Sequence, residues 1–291
     1  MKLLSRRLPQ IAAALFTLVI GLTAASAYGQ SKAKYGEYTD KHQEFCAENN
    51  WSNEGKVSSR DLRELTVAST GDVNVDAGRN GGVSIKGEDR QDVFIRACVQ
   101  AWGSSAETAK TNAANIRIDT NGTIKAEGGE DNNSSVSYEI HVPRNSNVDL
   151  TAHNGGVSIT SVDGKLGFET TNGGVYLSDV SGSVKGRTTN GGVSVKLAGT
   201  TWKGSGLEVT TSNGGVNLEL PETYAARIET GTVNGGFKSS IPALNITTEN
   251  IIGDEDSHHR RPTRISQAIN GGGPTIRVTT TNGGVRISSP E

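Results

Sequence analysis

The sequence is poor in aromatic residues, in methionine, in cysteine and in long apolar segments. Only 5% of its 291 residues are aromatic, methionine occurs once, and there are two cysteines. Beyond residue 25, no apolar run approaches the roughly 20 residues that a membrane-spanning helix needs. The residue in excess is glycine, with 37 copies, or about 13% against a typical usage of about 7%. With glycine counted as apolar the composition is that of a folded protein, which excludes a disordered polymer.

The beginning of the chain, at positions 1–27, has the pattern of a secretory signal peptide. A basic start with Arg6 and Arg7 precedes the uncharged apolar stretch 11–25, and Ala25–Ala27 fits a cleavage site. The alternative, an uncleaved membrane anchor, needs a longer apolar run. We therefore expect an exported protein in the periplasm, at the cell surface or outside the cell, with no membrane span after cleavage. The formal charge of −2 becomes more negative without the basic signal, so nucleic acid is not an expected partner.

The two cysteines, Cys46 and Cys98, form an even pair in a chain expected to reach an oxidising compartment. Such a pair predicts one disulfide. The alternative is a catalytic thiol, but no Cys-x-x-Cys motif is present and no histidine is linked in sequence to either cysteine. The sequence therefore favours a structural disulfide.

Much of the glycine belongs to a repeated tripeptide. Asn-Gly-Gly occurs eight times and accounts for 16 of the 37 glycines. The second, third and fourth copies are equally spaced, whereas the later steps are irregular, with a long one before the seventh copy and a short one after it. A recurring period of about 18 residues predicts an array of repeats in which each unit buries its apolar side against its neighbours. The copies begin at Asn80, Asn154, Asn172, Asn190, Asn213, Asn234, Asn270 and Asn282.

The residues on either side of the tripeptide alternate between apolar and polar, as in half-buried strands. Leu166 and Phe168 precede one copy, and Val175 and Leu177 follow it. A straight strand would place these two pairs on opposite faces, because their positions differ by an odd number. We therefore interpret Asn-Gly-Gly as a corner or turn, with glycine chosen because it accepts positive φ.

Two architectures satisfy this pattern. In a β-solenoid, Asn-Gly-Gly marks the same corner in successive coils, and the irregular steps are coils with inserted corners. In an antiparallel hairpin array, Asn-Gly is the two-residue turn of each hairpin. Threonine recurs two residues before the asparagine, and identical residues stack well on parallel coils. The solenoid is therefore favoured.

The chain divides into four predicted parts. A small β-rich segment with one short helix precedes the solenoid, and the solenoid contains a charged segment at residues 253–261. Within the β-rich segment, the patterns predict strands at 93–102, 116–126 and 136–142 and a helix at 104–115. The parts are the signal peptide 1–27, a polar extension 28–60, the β-rich segment 61–146 and the repeat solenoid 147–291.

The repeated units TTNGGVYL, TTNGGVSV, TSNGGVNL and TTNGGVRI resemble the bacterial putative-adhesin β-strand-repeat family of unknown function. The stretches Asp76–Arg90 and Ser135–Ile159 resemble the same exported proteins, and the likeness covers roughly residues 64–288. The resemblance implies a β-solenoid, adhesin-like domain on an exported bacterial protein. It implies no defined ligand and no catalytic residues.

The sequence contains no nucleophile elbow (Gly-x-Ser-x-Gly), no His-Glu-x-x-His zinc site, no Walker loop, no dinucleotide-binding Gly-x-Gly-x-x-Gly and no EF-hand loop. The adjacent His258 and His259 fit a solvated loop better than a metal site, so we expect neither a cofactor nor a metal. A carbohydrate-cleaving β-helix would need two carboxylates close together. In the two evenly spaced units, Glu169 instead meets Arg187 one period later, so the sequence favours a protein that is not an enzyme.

We therefore expect an adhesin-like β-solenoid that serves surface attachment or envelope structure, with a surface polymer or another protein as its partner. The eight asparagines are interpreted as structural corner residues. Two alternatives stay open. One is a polysaccharide-acting β-helix enzyme. The other is a self-assembling envelope scaffold, since the open strand edges of a solenoid favour self-association.

Overall fold

A computed structural model describes residues 45–47, 55–129, 133–244 and 263–290. The predicted signal peptide, most of the polar extension and the charged segment 253–261 lie outside these ranges. The described residues form an all-β fold with one α-helix and one 3-10 turn at Pro242–Leu244, which confirms the predicted class. The helix is α1 (Ala106–Asn115), and the strands are β1 (Val57–Ala68), β2 (Asp72–Asp76), β3 (Val83–Glu88), β4 (Asp92–Gly103), β5 (Arg117–Asp119), β6 (Thr123–Glu127), β7 (Ser134–Pro143), β8 (Asn147–Ala152), β9 (Val157–Thr160), β10 (Asp163–Asn172), β11 (Val175–Ser178), β12 (Ser181–Asn190), β13 (Val193–Lys196), β14 (Gly206–Asn213), β15 (Val216–Glu219), β16 (Ala226–Thr232), β17 (Phe237–Ser239), β18 (Thr263–Ile269), β19 (Thr275–Asn282) and β20 (Val285–Ser288).

The strands form two ten-stranded sheets. Sheet 1 has the order β1-β4-β7-β3-β9-β11-β13-β15-β20-β17, and sheet 2 has the order β18-β16-β19-β14-β12-β10-β8-β2-β6-β5. At seven of the eight copies, the strand of sheet 2 ends at or shortly before the asparagine, and the strand of sheet 1 begins just after the second glycine. At these seven copies the chain therefore passes from one sheet to the other around Asn-Gly-Gly; the copy at Asn270 differs.

Neighbouring repeats pair in parallel and in register. Thr170 lies opposite Thr188, and Val175 lies opposite Val193, so each residue meets its equivalent in the next repeat. An Asn-Gly hairpin would instead pair Thr170 with Val175. The alternative of an antiparallel hairpin array is therefore wrong, because the hydrogen bonds of each strand go to the next repeat.

The alternating apolar residues of both sheets face one shared core. Leu166 and Phe168 of sheet 2 are 1% and 5% exposed, and Val175 and Leu177 of sheet 1 are 3% and 0% exposed. All four belong to a single buried cluster. The period-two pattern therefore identified the inward face of each strand, and the other face of each sheet, here called its outer face, points away from the core.

Near the end of the chain, the repeats do not follow one another in space. Strand β19 pairs with both β14 and β16, and β20 pairs with both β15 and β17. In space, the last repeat in sequence (β19 and β20) therefore lies between the repeat of β14 and β15 and the repeat of β16 and β17. The long step from Asn234 to Asn270 contains the additional strand β18, which pairs antiparallel with β16, and the short step from Asn270 to Asn282 contains only β19.

The sheets run without interruption across the predicted boundary between residues 146 and 147. Strand β2 pairs with β8, and β3 pairs with β9, so the repeat at Asn80 is one more unit of the same array. The described residues from 45 onward belong to one compact unit. The distinct composition of the earlier segment reflects the end of the array and does not mark a separate body.

The first end of the array carries the one helix. Helix α1 begins after Ser105, whose Oγ accepts from the backbone N–H of Thr108, a typical N-cap contact. Helix α1 confirms the helix predicted at 104–115. The single strand predicted over 116–126 is instead two strands, β5 and β6, because Gly122 takes a positive φ of 79° between them.

Candidate functional site

Seven of the eight repeat asparagines form one exposed row across the array. Six of the seven side chains donate from Nδ2 to the Oδ1 atom of a neighbouring asparagine at 2.7–3.0 Å. Asn80, at the end of the row, donates instead to the carbonyl oxygen of Ser134. Because one amide group supplies both a donor and an acceptor, the row continues from unit to unit. The asparagines in this row, in spatial order, are Asn80, Asn154, Asn172, Asn190, Asn213, Asn282 and Asn234.

The threonines two residues earlier form a second, buried row. Thr188 is 2% exposed, and its Oγ1 donates to the carbonyl oxygen of Gly173 at 2.8 Å. Thr170, Thr211, Thr232 and Thr280 make the equivalent bond to the unit beside them. The recurrence of threonine therefore has a specific cause, since its hydroxyl donates to a partly buried backbone carbonyl of the neighbouring unit.

The first glycine of the tripeptide is required by contact between units, which corrects the explanation from positive φ. A Cβ atom on Gly191 would overlap the carbonyl group of Gly173, and one on Gly173 would overlap that of Gly155. Neither glycine has a positive φ. The second glycine is less constrained, because a Cβ atom on Gly192 would lie 3.4 Å from the nearest atom, the oxygen of Gly215.

Asn270 does not belong to the asparagine row. It has a φ of 48° and, with Gly271 and Gly272 also at positive φ, it turns the chain between two strands of sheet 2. Its Nδ2 donates to the carbonyl oxygens of Glu222 and Tyr224. The prediction of eight equivalent corners is therefore wrong at Asn270, the one copy in which the asparagine takes the left-handed conformation.

The outer face of sheet 2 carries charges that pair between strands. Arg277 contacts Glu229 at 2.6 Å and Glu208 at 3.5 Å. Glu169 pairs with Arg187 at 2.5 Å, which confirms the opposition of charges expected from the repeat period. Along this part of the face, most carboxylates are thus neutralised by a cation on the next strand.

This paired surface is interrupted by a shallow depression above Gly167. The depression has a volume of about 450 Å³ and lies on strands β2, β8 and β10. Gly167 lies between Asp149 on one neighbouring strand and Lys185 on the other. Because glycine has no side chain, a gap is left in the outer face at this position. The lining residues are Asp72, Asn74, Asn147, Val148, Asp149, Lys165 and Gly167.

The outer face of sheet 1 carries a buried group of charges near the first end of the array, here called the charged cluster (Glu88, Arg96, Glu139 and His141). Nδ1 of His141 lies 2.8 Å from Glu88, and Nε2 lies 2.9 Å from Glu139. Arg96 lies 3.1 Å from Glu139. Because carboxylates only accept hydrogen bonds, both ring nitrogens of His141 must donate, which requires the imidazolium form.

The hydrogen bond to Glu139 raises the pKa of His141, against the opposing effect of burial. A raised pKa in the folded state means that His141 stabilises the fold at pH values below its unfolded pKa of about 6.5. This contribution is lost as the pH rises through the folded pKa.

We expect the free energy of unfolding to fall at alkaline pH more steeply in the natural chain than in His141→Gln, which lacks the charge. Urea denaturation from pH 6 to pH 10 measures both slopes. His153→Gln is the matched control, because His153 is exposed. Equal slopes in the natural chain and in His141→Gln would show that the charge of His141 does not stabilise the fold.

Cys46 and Cys98 lie together as a disulfide-capable pair. Their Cα atoms are 5.2 Å apart, within the usual range for a disulfide. Cys98 lies on β4 beside Arg96, and Phe45 places its ring 5.1 Å from the guanidinium carbon of Arg96. The pair therefore fixes a short segment over the charged cluster.

Removing this link is expected to destabilise the protein by about 3–4 kcal/mol, since it closes a loop of about 50 residues in the unfolded chain. The test is urea denaturation of the chain with Cys46→Ser and Cys98→Ser, and mass spectrometry of non-reduced peptides checks the link itself. Two free thiols in the natural chain, or an unchanged midpoint in the double variant, would contradict the prediction.

Two aromatic side chains, which could stack on a sugar only where they are exposed, lie in different environments. Trp202 is 4% exposed and donates to the carbonyl oxygen of Gly182, so it serves packing. Tyr176 is 38% exposed on sheet 1, where Ser158 and Ser194 lie opposite it. Trp51 lies outside the described residues.

Within the described ranges, no three histidine, cysteine, aspartate or glutamate side chains are grouped so that they could hold a metal ion. No helix in the same part of the chain is long and apolar enough to cross a membrane.

Residues 64–288 match the Toastrack DUF4097 family, so the chain belongs to this family of unknown function. No curated protein matches the chain.

Three solved structures share a likeness to the chain at low identity. A putative cell adhesion protein from Clostridium sporogenes is 12% identical, with a TM-score of 0.40, over 80% of this chain and 100% of that one. A putative adhesin from Bacteroides fragilis is 13% identical, with a TM-score of 0.33, over 80% and 98% of the two chains. A putative lipid binding protein from Parabacteroides distasonis is 11% identical, with a TM-score of 0.31, over 80% and 97%.

Proposed function

We propose that the protein is an exported attachment protein, without enzymatic activity, that contacts a polymer of a cell surface or envelope. In this proposal the two sheets are the faces of a β-solenoid, and Asn-Gly-Gly forms its corners. Export is supported by the signal-peptide pattern at positions 1–27.

One observation carries the proposal, namely that the repeats stack in register. Equivalent side chains of successive units therefore form straight rows one strand spacing apart, or about 4.8 Å. The row of seven hydrogen-bonded asparagines shows how regular this arrangement is. Long polar rows of constant spacing suit contact with an extended polymer better than with a compact small molecule.

A polysaccharide-acting enzyme is the second candidate, and one observation favours it. Asp72 lies opposite Asn147, and Asp149 lies opposite Asn74, so the two carboxylates are diagonal neighbours in sheet 2. With a strand spacing of about 4.8 Å and a rise of about 3.3 Å per residue, such diagonal neighbours are about 8 Å apart, within the range of carboxylate pairs in glycosidases. Against this, Asp72 already accepts a hydrogen bond from the Asn147 side chain at 2.9 Å.

Attachment is tested by incubating the labelled chain from Tyr28 onward with intact bacterial cells and measuring saturable binding. We expect bound protein to reach a plateau and to be displaced by the unlabelled chain. Binding that never saturates, or that equals the binding of an unrelated exported β-protein, would contradict the proposal.

Release of new reducing ends from polysaccharides would favour the enzyme instead, and its loss in Asp72→Asn would assign the activity. Sedimentation of the same sample distinguishes attachment from self-assembly, because a scaffold would form large species at high concentration.

A further inference from the structure

The depression above Gly167 is formed by strands that are far apart in sequence. Strand β2 contributes Asp72 and Asn74, β8 contributes Asn147 and Asp149, and β10 contributes the floor at Gly167. These side chains meet because the in-register pairing brings β2 and β10 to opposite sides of β8. The depression is therefore a product of the stacked fold.

The fold does not require glycine at position 167. Its φ is not positive, and an added Cβ atom would meet the carboxylate oxygen of Asp149 at 3.1 Å and the backbone oxygen of Val148 at 3.7 Å. The closer of these atoms ends a side chain that can rotate. By contrast, a Cβ atom on Gly164 would overlap the carbonyl group of Ser146, and one on Gly182 would overlap the backbone of Gly164.

A glycine inside a strand weakens the strand, and it often marks a place where a ligand comes close to the backbone. Gly167 has no packing role that offsets this cost. The equivalent position in the next repeat is Lys185, so the gap belongs to this site and is not part of the repeat.

The lining groups are arranged to hydrogen-bond with a ligand. Asn147 is held in place, since it donates to Asp72 and accepts from the backbone N–H of Lys165 at 2.9 Å. Within the described part of the chain, neither the carboxylate of Asp149 nor the ammonium of Lys165 forms an ion pair. The site therefore offers both strong acceptors and a strong donor.

We propose that the depression above Gly167 binds a neutral glycan, with Asp149, Asn74 and Lys165 hydrogen-bonded to its hydroxyl groups. Vicinal hydroxyls both donate and accept, which matches a mixed set of carboxylate, amide and ammonium groups. Two carboxylates against one ammonium disfavour an anionic polymer, since like charges repel. This inference rests on the proposed function and names the class of polymer that the protein would attach to.

The inference is tested by isothermal titration of the chain from Tyr28 onward with neutral hexasaccharides of β-1,4-glucose, β-1,3-glucose and β-1,4-mannose, and with polygalacturonate as the anionic probe. We expect at least one neutral probe to bind and polygalacturonate not to bind. Gly167→Thr fills the depression with a residue that favours strands. We expect it to weaken the affinity at least tenfold while leaving the urea midpoint unchanged or higher.

Ser266→Thr is the control, because Ser266 lies in the same row of sheet 2 on β18, several strands away. It should leave the affinity unchanged. The inference is overturned if no neutral probe binds, if polygalacturonate binds better, or if Gly167→Thr binds as tightly as the natural chain.

Cell binding separates this failure from failure of the proposed function. If Gly167→Thr still attaches to cells, attachment stands and the depression is not its site. If the natural chain binds a neutral probe but no cells, the glycan site stands and the attachment proposal is wrong.

Discussion

Gly191→Ala is expected to lower the free energy of unfolding by about 3 kcal/mol, because overpacking against fixed backbone cannot be relieved by rotating a side chain. The added methyl group would overlap the carbonyl group of Gly173 and the backbone nitrogen of Gly174. The units on both sides are paired along their strands, so neither can move away without breaking hydrogen bonds. Urea denaturation followed by circular dichroism measures the loss.

The matched control is Gly192→Ala, one residue further along. Its methyl group would lie 3.4 Å from the oxygen of Gly215, an ordinary contact, so we expect a change below about 1 kcal/mol. Similar losses in the two variants would show that glycine is needed for conformational freedom and not for contact between units.

Glu139→Gln is expected to destabilise the protein by about 3–5 kcal/mol, the usual cost of removing one partner from a buried ion pair. The Glu139 side chain is 10% exposed and lies between Arg96 and His141. The hydrogen bond from His141 lowers the pKa of Glu139 although burial opposes it, so the carboxylate is ionised at neutral pH. Glutamine keeps the shape of the side chain and removes its charge.

Glu169→Gln is the comparison for Glu139→Gln. The Glu169 side chain is 53% exposed in its pair with Arg187, and exposed pairs contribute at most about 1 kcal/mol. Equal losses in the two variants would show that burial of the charged cluster does not matter to stability.

The sequence predicted the repeating unit and its inward face because these depend on short-range patterns. Leu166 and Phe168 alternate with polar residues, and the same alternation recurs one period later. The role of Gly191 could not be found in this way, since its contact partner lies in another unit. The inverted order of the last repeats was hidden for the same reason, because strand pairing decides it and spacing does not.

The charged cluster and the depression above Gly167 were missed by sequence reasoning. The alternation of β7 places Glu139 and His141 on the outer face, opposite Tyr138 and Ile140. Nothing in the pattern shows that this face is covered, because the cover near Cys46 comes from a distant segment. For the depression, one signal was present: glycine occupies position 167 where the next repeat has Lys185.

The most direct test of glycan attachment is a nuclear magnetic resonance titration of the isotope-labelled chain from Tyr28 onward with the tightest-binding neutral hexasaccharide. We expect the backbone amide shifts to change at Asp72–Asn74, Asn147–Asp149 and Lys165–Gly167 and to stay constant around Tyr176. Changes centred on Tyr176, or no changes at saturating glycan, would contradict a neutral-glycan site above Gly167.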